Sequence, residues 1–158
     1  MLRFRPLAAS LVALILAACA DSTGLEHLAI NVALSRNKMM SGDTTTVVVR
    51  FTNTGSDSID VQLFCQHLFE VANADGEIVA GREPMMCIAL ALGPDRLGPL
   101  ESIERRFPWA AQFRQQIGDT LMTGPLPPGT YQVYGTAEQR RSAPVMLELE
   151  PRVPSVMP

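Results

Sequence analysis

Histidine occurs twice, tryptophan once and cysteine three times in 158 residues, and each shortage narrows what the chain can do. With only His27 and His67 available, there are few ways to build an imidazole general base. A Gly-x-Ser-x-Gly nucleophile elbow, a glycine-rich phosphate loop and a His-Glu-x-x-His zinc motif are all missing. The acids are scattered, with no pair placed for glycoside chemistry. The expectation is a chain that is not an enzyme, with no catalytic residue, no bound cofactor and no small-molecule substrate. Adjacent basic residues occur only at Arg105-Arg106 and Arg140-Arg141, which argues against nucleic acid or anionic lipid as a partner. Long apolar runs are lacking too. The stretch from Leu7 to Ala18 is well short of the roughly 20 residues that cross a bilayer.

What that stretch does have is order. Arg3 and Arg5 precede it, and Ala17-Ala18 closes it directly before Cys19. A charged start, an apolar centre and small residues at the end make a secretory signal peptide over residues 1–18. Leu16-Ala17-Ala18-Cys19 resembles the lipobox of bacterial lipoproteins. That resemblance implies cleavage before Cys19 and a diacylglycerol anchor on its thiol, so the membrane itself is a partner. The alternative is a secreted protein in which Cys19 carries no lipid. In lipoprotein sorting an aspartate directly after the cysteine retains the protein in the inner membrane. Here Ala20 holds that place and Asp21 follows, so the resemblance implies the outer membrane of a diderm envelope, facing periplasm or exterior. Residues 19–25 then form a lipidated tether, and the six after Cys19 reach only about 20 Å when extended. Losing residues 1–18 removes two arginines and no acid, so the formal charge goes from −3 to −5. What remains is long enough for one domain with a real core.

Cys65 and Cys87 are left over in a compartment where disulfides persist, and a bridge between them is the expected arrangement. It would contribute about 3 kcal/mol through chain entropy. Strand phase speaks against it, because alternation sets Cys65 with Ile59, Val61 and Leu63 but Cys87 with Ala89 and Ala91. A second use for these side chains is metal binding. Cys65 and His67 share a face of an unbroken strand, and Cys87 would be a third ligand suited to zinc or copper.

From His27 onward the dominant period is two. Leu28, Ile30, Val32 and Leu34 alternate with smaller or polar residues, as do Val47, Val49 and Phe51, then Ile59, Val61 and Leu63. Tyr131, Val133 and Gly135 repeat the pattern, and so do Val145, Leu147 and Leu149. Such alternation makes half-buried strands. Asn73-Ala74-Asp75-Gly76 is a hairpin signal, and other turns recur about every ten residues, as in an antiparallel sandwich. Met85–Leu92 is apolar throughout and fits either a buried strand or a helical turn; Ala110–Gly124 is read as a short helix or a long connection. The domain is set at residues 26–151 and a fraying tail at 152–158.

Four pieces taken in order carry a resemblance. They are Arg50-Phe51-Thr52-Asn53-Thr54-Gly55; Phe69-Glu70-Val71 with Asp75-Gly76-Glu77-Ile78-Val79; Leu100-Glu101-Ser102 with Phe107-Pro108-Trp109; and Leu126-Pro127-Pro128-Gly129-Thr130-Tyr131. Together they resemble the intracellular proteinase inhibitor family (the BsuPI type), an immunoglobulin-like β-sandwich. The resemblance implies an all-β fold and a protein partner, with a serine protease as the named target class, although this chain looks exported. Within such a sandwich Trp109 is expected to fill the core, and Gly129 and Tyr131 to form a tyrosine corner. The tip Glu138-Gln139-Arg140-Arg141 is the candidate partner-binding loop. The function expected is therefore protein binding, with an accessory structural role in the envelope as the alternative.

Overall fold

The computed structural model describes residues 25–63, 67–81, 93–117 and 120–152. The signal peptide, Cys19, the tether before Leu25, Cys65, Cys87, Met85–Leu92 and the tail from 153 lie outside the described residues, and with them both the disulfide and the cysteine metal site. Among the described residues no helix is long and apolar enough to cross a membrane.

The alternating segments form strands, and the fold is all-β. After a 3-10 turn at Leu25–His27 come β1 (Leu28–Leu34), β2 (Lys38–Met40), β3 (Thr45–Asn53), β4 (Ile59–Val61) and β5 (Phe69–Ala72). Then follow β6 (Ile78–Ala80), β7 (Asp95–Leu97), β8 (Ser102–Trp109), β9 (Gln112–Ile117) and β10 (Thr120–Pro125). The last are β11 (Gly129–Ala137), β12 (Arg140–Arg141) and β13 (Val145–Glu150). One sheet has the order β1-β3-β8, and the other runs β2-β13-β11-β5-β6 with β12 beside β11. The short strands β4 and β7 pair with each other, and so do β9 and β10.

The two larger sheets face each other as a sandwich. Val47, Val49 and Phe51 of β3 are fully buried, as are Val133 of β11 and Leu147 of β13, all in one apolar core. Gly135 shows how closely the sheets approach. A Cβ built there would lie 2.8 Å from Val49 Cγ1 and 3.0 Å from Ile30 Cγ2, so the contact needs a residue with no side chain.

One pair departs from the antiparallel expectation. After β1 the chain crosses to the other sheet through Ser35–Asn37, and β2 then runs parallel to β13. Buried Thr45 holds the crossover, its hydroxyl donating to the Arg36 carbonyl at 3.0 Å and accepting from the Arg36 amide at 3.2 Å. Ala110–Gly124 is also different from its reading. It is neither helix nor loop but mostly the β9–β10 hairpin, which among the described residues pairs with no other strand and so is free of the core-facing alternation.

Trp109 stands at the margin of the core rather than filling it. It is half-buried, its ring edge-on to Phe69 at 6.0 Å, and Phe107 tilts against the same ring at 5.7 Å. Among the described residues the fully buried large aromatic is Phe51. Trp109 ends β8, an edge strand where Pro108 needs no ladder partner for a missing N–H.

Pairing registers define the two poles of the sandwich. Leu28 sits opposite Asn53 at the pole where the described chain begins, whereas Leu34 sits opposite Val47 near the other. Ser41, Ala111, Leu126 and Glu150 meet at that second pole, through Ser41 N to Glu150 O at 2.9 Å and Leu126 N to Ala111 O at 2.8 Å.

Candidate functional site

The tyrosine of the Leu126–Tyr131 segment organises the second pole. Tyr131 donates its hydroxyl to the carbonyl of Pro127, four residues upstream, at 2.8 Å. Gly129 opens β11 beneath it; a Cβ there would touch the Tyr131 ring at 3.8 Å. Burial raises the Tyr131 pKa above its ordinary value of 10.0, so the donor stays protonated across the neutral range. Tyr131→Phe is expected to cost about 1 kcal/mol in urea unfolding, the typical net worth of one hydrogen bond. The raised value also sets a sign. Above pH 10.0 the unfolded chain loses this proton before the folded one does, so stability falls as pH rises, and the phenylalanine variant lacks that part of the fall.

Beside this corner the β5–β6 hairpin builds a wall. Asn73 Oδ1 accepts from the amides of Asp75 at 3.0 Å and Glu77 at 2.9 Å, while Gly76 takes the positive φ of 81° that the turn demands. Asn73 Nδ2 then donates to Glu77 Oε2 at 3.3 Å, which sets the carboxylate at the turn. The opposite wall is Phe113 of β9, whose ring lies against Gly124 so closely that a Cβ there would be 2.8 Å from Cε1. Between them lies an open cleft of about 460 Å³, lined by Asn73, Glu77, Ile78, Val79, Phe113, Leu126, Pro127 and Tyr131. That volume falls within the roughly 300–1,000 Å³ typical of ligand sites.

The tip expected to bind a partner is a different place. Glu138 and Gln139 form a two-residue turn with φ of 48° and 67°, linking β11 to β12. Two of its three charged side chains are already engaged. Glu138 Oε1 accepts from the Gln62 amide at 3.2 Å, and Arg141 pairs with Glu70 at 2.5 Å while lying over the Tyr134 ring, 5.4 Å from its centroid. Gln139 and Arg140 are the exposed remainder. Glu70 is only 6% exposed, so Arg141 holds down a buried carboxylate. Arg141→Ala is therefore expected to lower stability by about 2 kcal/mol, the scale of a charged hydrogen bond, as measured by the urea midpoint.

Of the residues singled out from the sequence, Tyr131 lines the cleft, Gly129 opens the strand that carries it, and Trp109 and the tip lie elsewhere. His67 is half-buried, and its carbonyl accepts the Thr136 hydroxyl. No group of three or more His, Cys, Asp or Glu able to hold a metal occurs among the described residues. Phe113, Glu77 and Val79 were not legible as a site. Asn73-Ala74-Asp75-Gly76 gives a hairpin signal and Leu126–Tyr131 a tyrosine corner, and nothing in them says that a distant phenylalanine completes a cleft.

No family model and no curated protein matches the chain. Among solved structures it is similar to the yjhA protein from Bacillus subtilis, at 15% identity over 78% of this chain and 92% of that one, with a TM-score of 0.38. It is also similar to a beta-glucosidase from Listeria innocua in complex with isofagomine, at 15% identity and a TM-score of 0.40. There the match covers 78% of this chain but only 16% of the glucosidase. Likeness at these levels carries no functional content.

Proposed function

We propose that this protein is a binding module for another protein, held at a bacterial envelope membrane by a lipid on Cys19. The observation that carries the reading is the cleft at the second pole. Apolar side chains from three separate segments line it, and a single carboxylate stands among them. This is the composition of a recognition surface, in which apolar walls supply contact and few polar groups fix orientation. The β6 strand beside it is the last in its sheet, and β9 packs near it across the cleft.

The finer reading is inhibition of a serine protease, supported by the sequence resemblance to the BsuPI-type family. It is tested by titrating soluble residues 22–158 against a subtilisin-like and a trypsin-like enzyme. Stoichiometric, reversible loss of activity with the chain intact would establish inhibition. Digestion of the chain would remove inhibition and leave binding to be judged by its own test, a saturable crosslinked partner in the membrane. The anchor has a separate check: Cys19→Ser is expected to move the chain from the membrane pellet to the soluble fraction.

A further inference from the structure

We infer that the cleft receives an arginine or lysine side chain from an extended segment of the partner, an inference that rests on the protein-binding reading above. The chemistry of the lining selects this occupant. Val79, Ile78 and Phe113 present apolar surface along which a methylene stem can lie, and the charge in the lining is negative. Glu77 provides it, and its carboxylate is oriented by Asn73 through Oε2. Asp75, two residues earlier on the same turn, adds a second exposed acid. Among the described residues no basic side chain lines the cleft. An anionic occupant would meet repulsion there, and a purely apolar one would leave Glu77 without a counter-charge from the partner. The excess of acids over bases in the whole chain, 16 against 13, favours approach by a cationic surface.

Position adds a direction to the chemistry. The described chain enters at Leu25, at the pole where Leu28 faces Asn53, whereas the cleft belongs to the pole where Leu126 meets Ser41 and Ala111. Seven residues of β1 separate the poles, about 20 Å of extended strand. With the anchor on Cys19, the cleft faces away from the membrane. Its occupant then reaches it from the far side, and the tip at Glu138–Arg141 is not where that partner docks.

The test uses the full lipidated chain in detergent micelles and three capped pentapeptides, Ala-Ala-X-Ala-Ala, in which X is arginine, norleucine or glutamate. Amide shifts are followed by NMR. The arginine peptide is expected to move the amides of Val79, Phe113 and Tyr131 and to bind at least about fivefold more tightly than the glutamate peptide. Glu77→Gln should weaken the arginine peptide by about threefold, the scale of an exposed ion pair, and leave norleucine unchanged. Raising salt should act on the arginine peptide in the same direction. Equal binding of all three peptides, or no effect of Glu77→Gln, would overturn the cationic occupant while leaving a protein-binding cleft in place. If no peptide moves the cleft amides, the cleft is not a side-chain pocket, and the inference fails outright.

Discussion

Phe51→Ala is expected to lower unfolding stability by about 4 kcal/mol, the largest loss from truncating any described side chain. Phe51 lies on the central strand of the three-stranded sheet, paired with Ile30 on one side and Ile103 on the other, and it is fully buried. It belongs to a core drawn from both sheets, so removing the ring is expected to leave a cavity that no single strand can close by shifting. The loss combines apolar transfer with that unfilled volume. Against a typical domain stability of about 5–15 kcal/mol it would bring the protein close to the edge of folding. Urea unfolding measures it. A loss under about 1 kcal/mol would mean that the sandwich core is not centred where the burial pattern places it.

Asn53→Ala comes next, at about 3 kcal/mol, for a polar reason. Asn53 stands in the turn-forming run Asn53-Thr54-Gly55, yet it has no exposed surface. Its Nδ2 donates to the carbonyls of Asp57 at 2.6 Å, Leu97 at 3.1 Å and Gly98 at 3.1 Å, and its Oδ1 accepts from the Gly55 amide at 2.9 Å. One side chain thus ties the end of β3 to the β4–β7 pair. Alanine would leave buried carbonyls without their donor, and each such group is costly. Aspartate in its place is a sharper control: it keeps the acceptor at Gly55 but sets oxygens against three carbonyls. It should be at least as damaging as alanine in the same unfolding experiment.

The contrast between these two residues explains what the sequence shows. Val47, Val49 and Phe51 are legible because the three central inward positions of β3 are apolar, and the β5–β6 hairpin is legible because Asn73 and Gly76 are needed by the turn itself. β8 is hard to see because Arg105 takes an inward position, in register with Val49, where it meets Asp95 at 3.0 Å. A charge there interrupts the alternation, and only the folded partner explains it. The β9–β10 hairpin escapes notice because it packs against one neighbour and not into the sheet ladder. The tip was legible as a charged hairpin but not as an engaged one. Glu70, which Arg141 satisfies, lies far away in sequence and looks like any other strand glutamate. The cleft is the extreme case. Its walls are Phe113 and the residues around Glu77, two segments far apart in sequence that the fold brings together beside the corner at Tyr131.

The most direct measurement compares these two surfaces in the anchored protein. A photoreactive benzoylphenylalanine is placed at Phe113 in one variant, where it conserves the aromatic ring, and at Gln139 in another, and each is irradiated in its own membrane. A partner held by the cleft gives a light-dependent, saturable covalent product from position 113 that an arginine peptide suppresses, and no such product from 139. A product from 139 with none from 113 would contradict the cleft as the working surface of this protein.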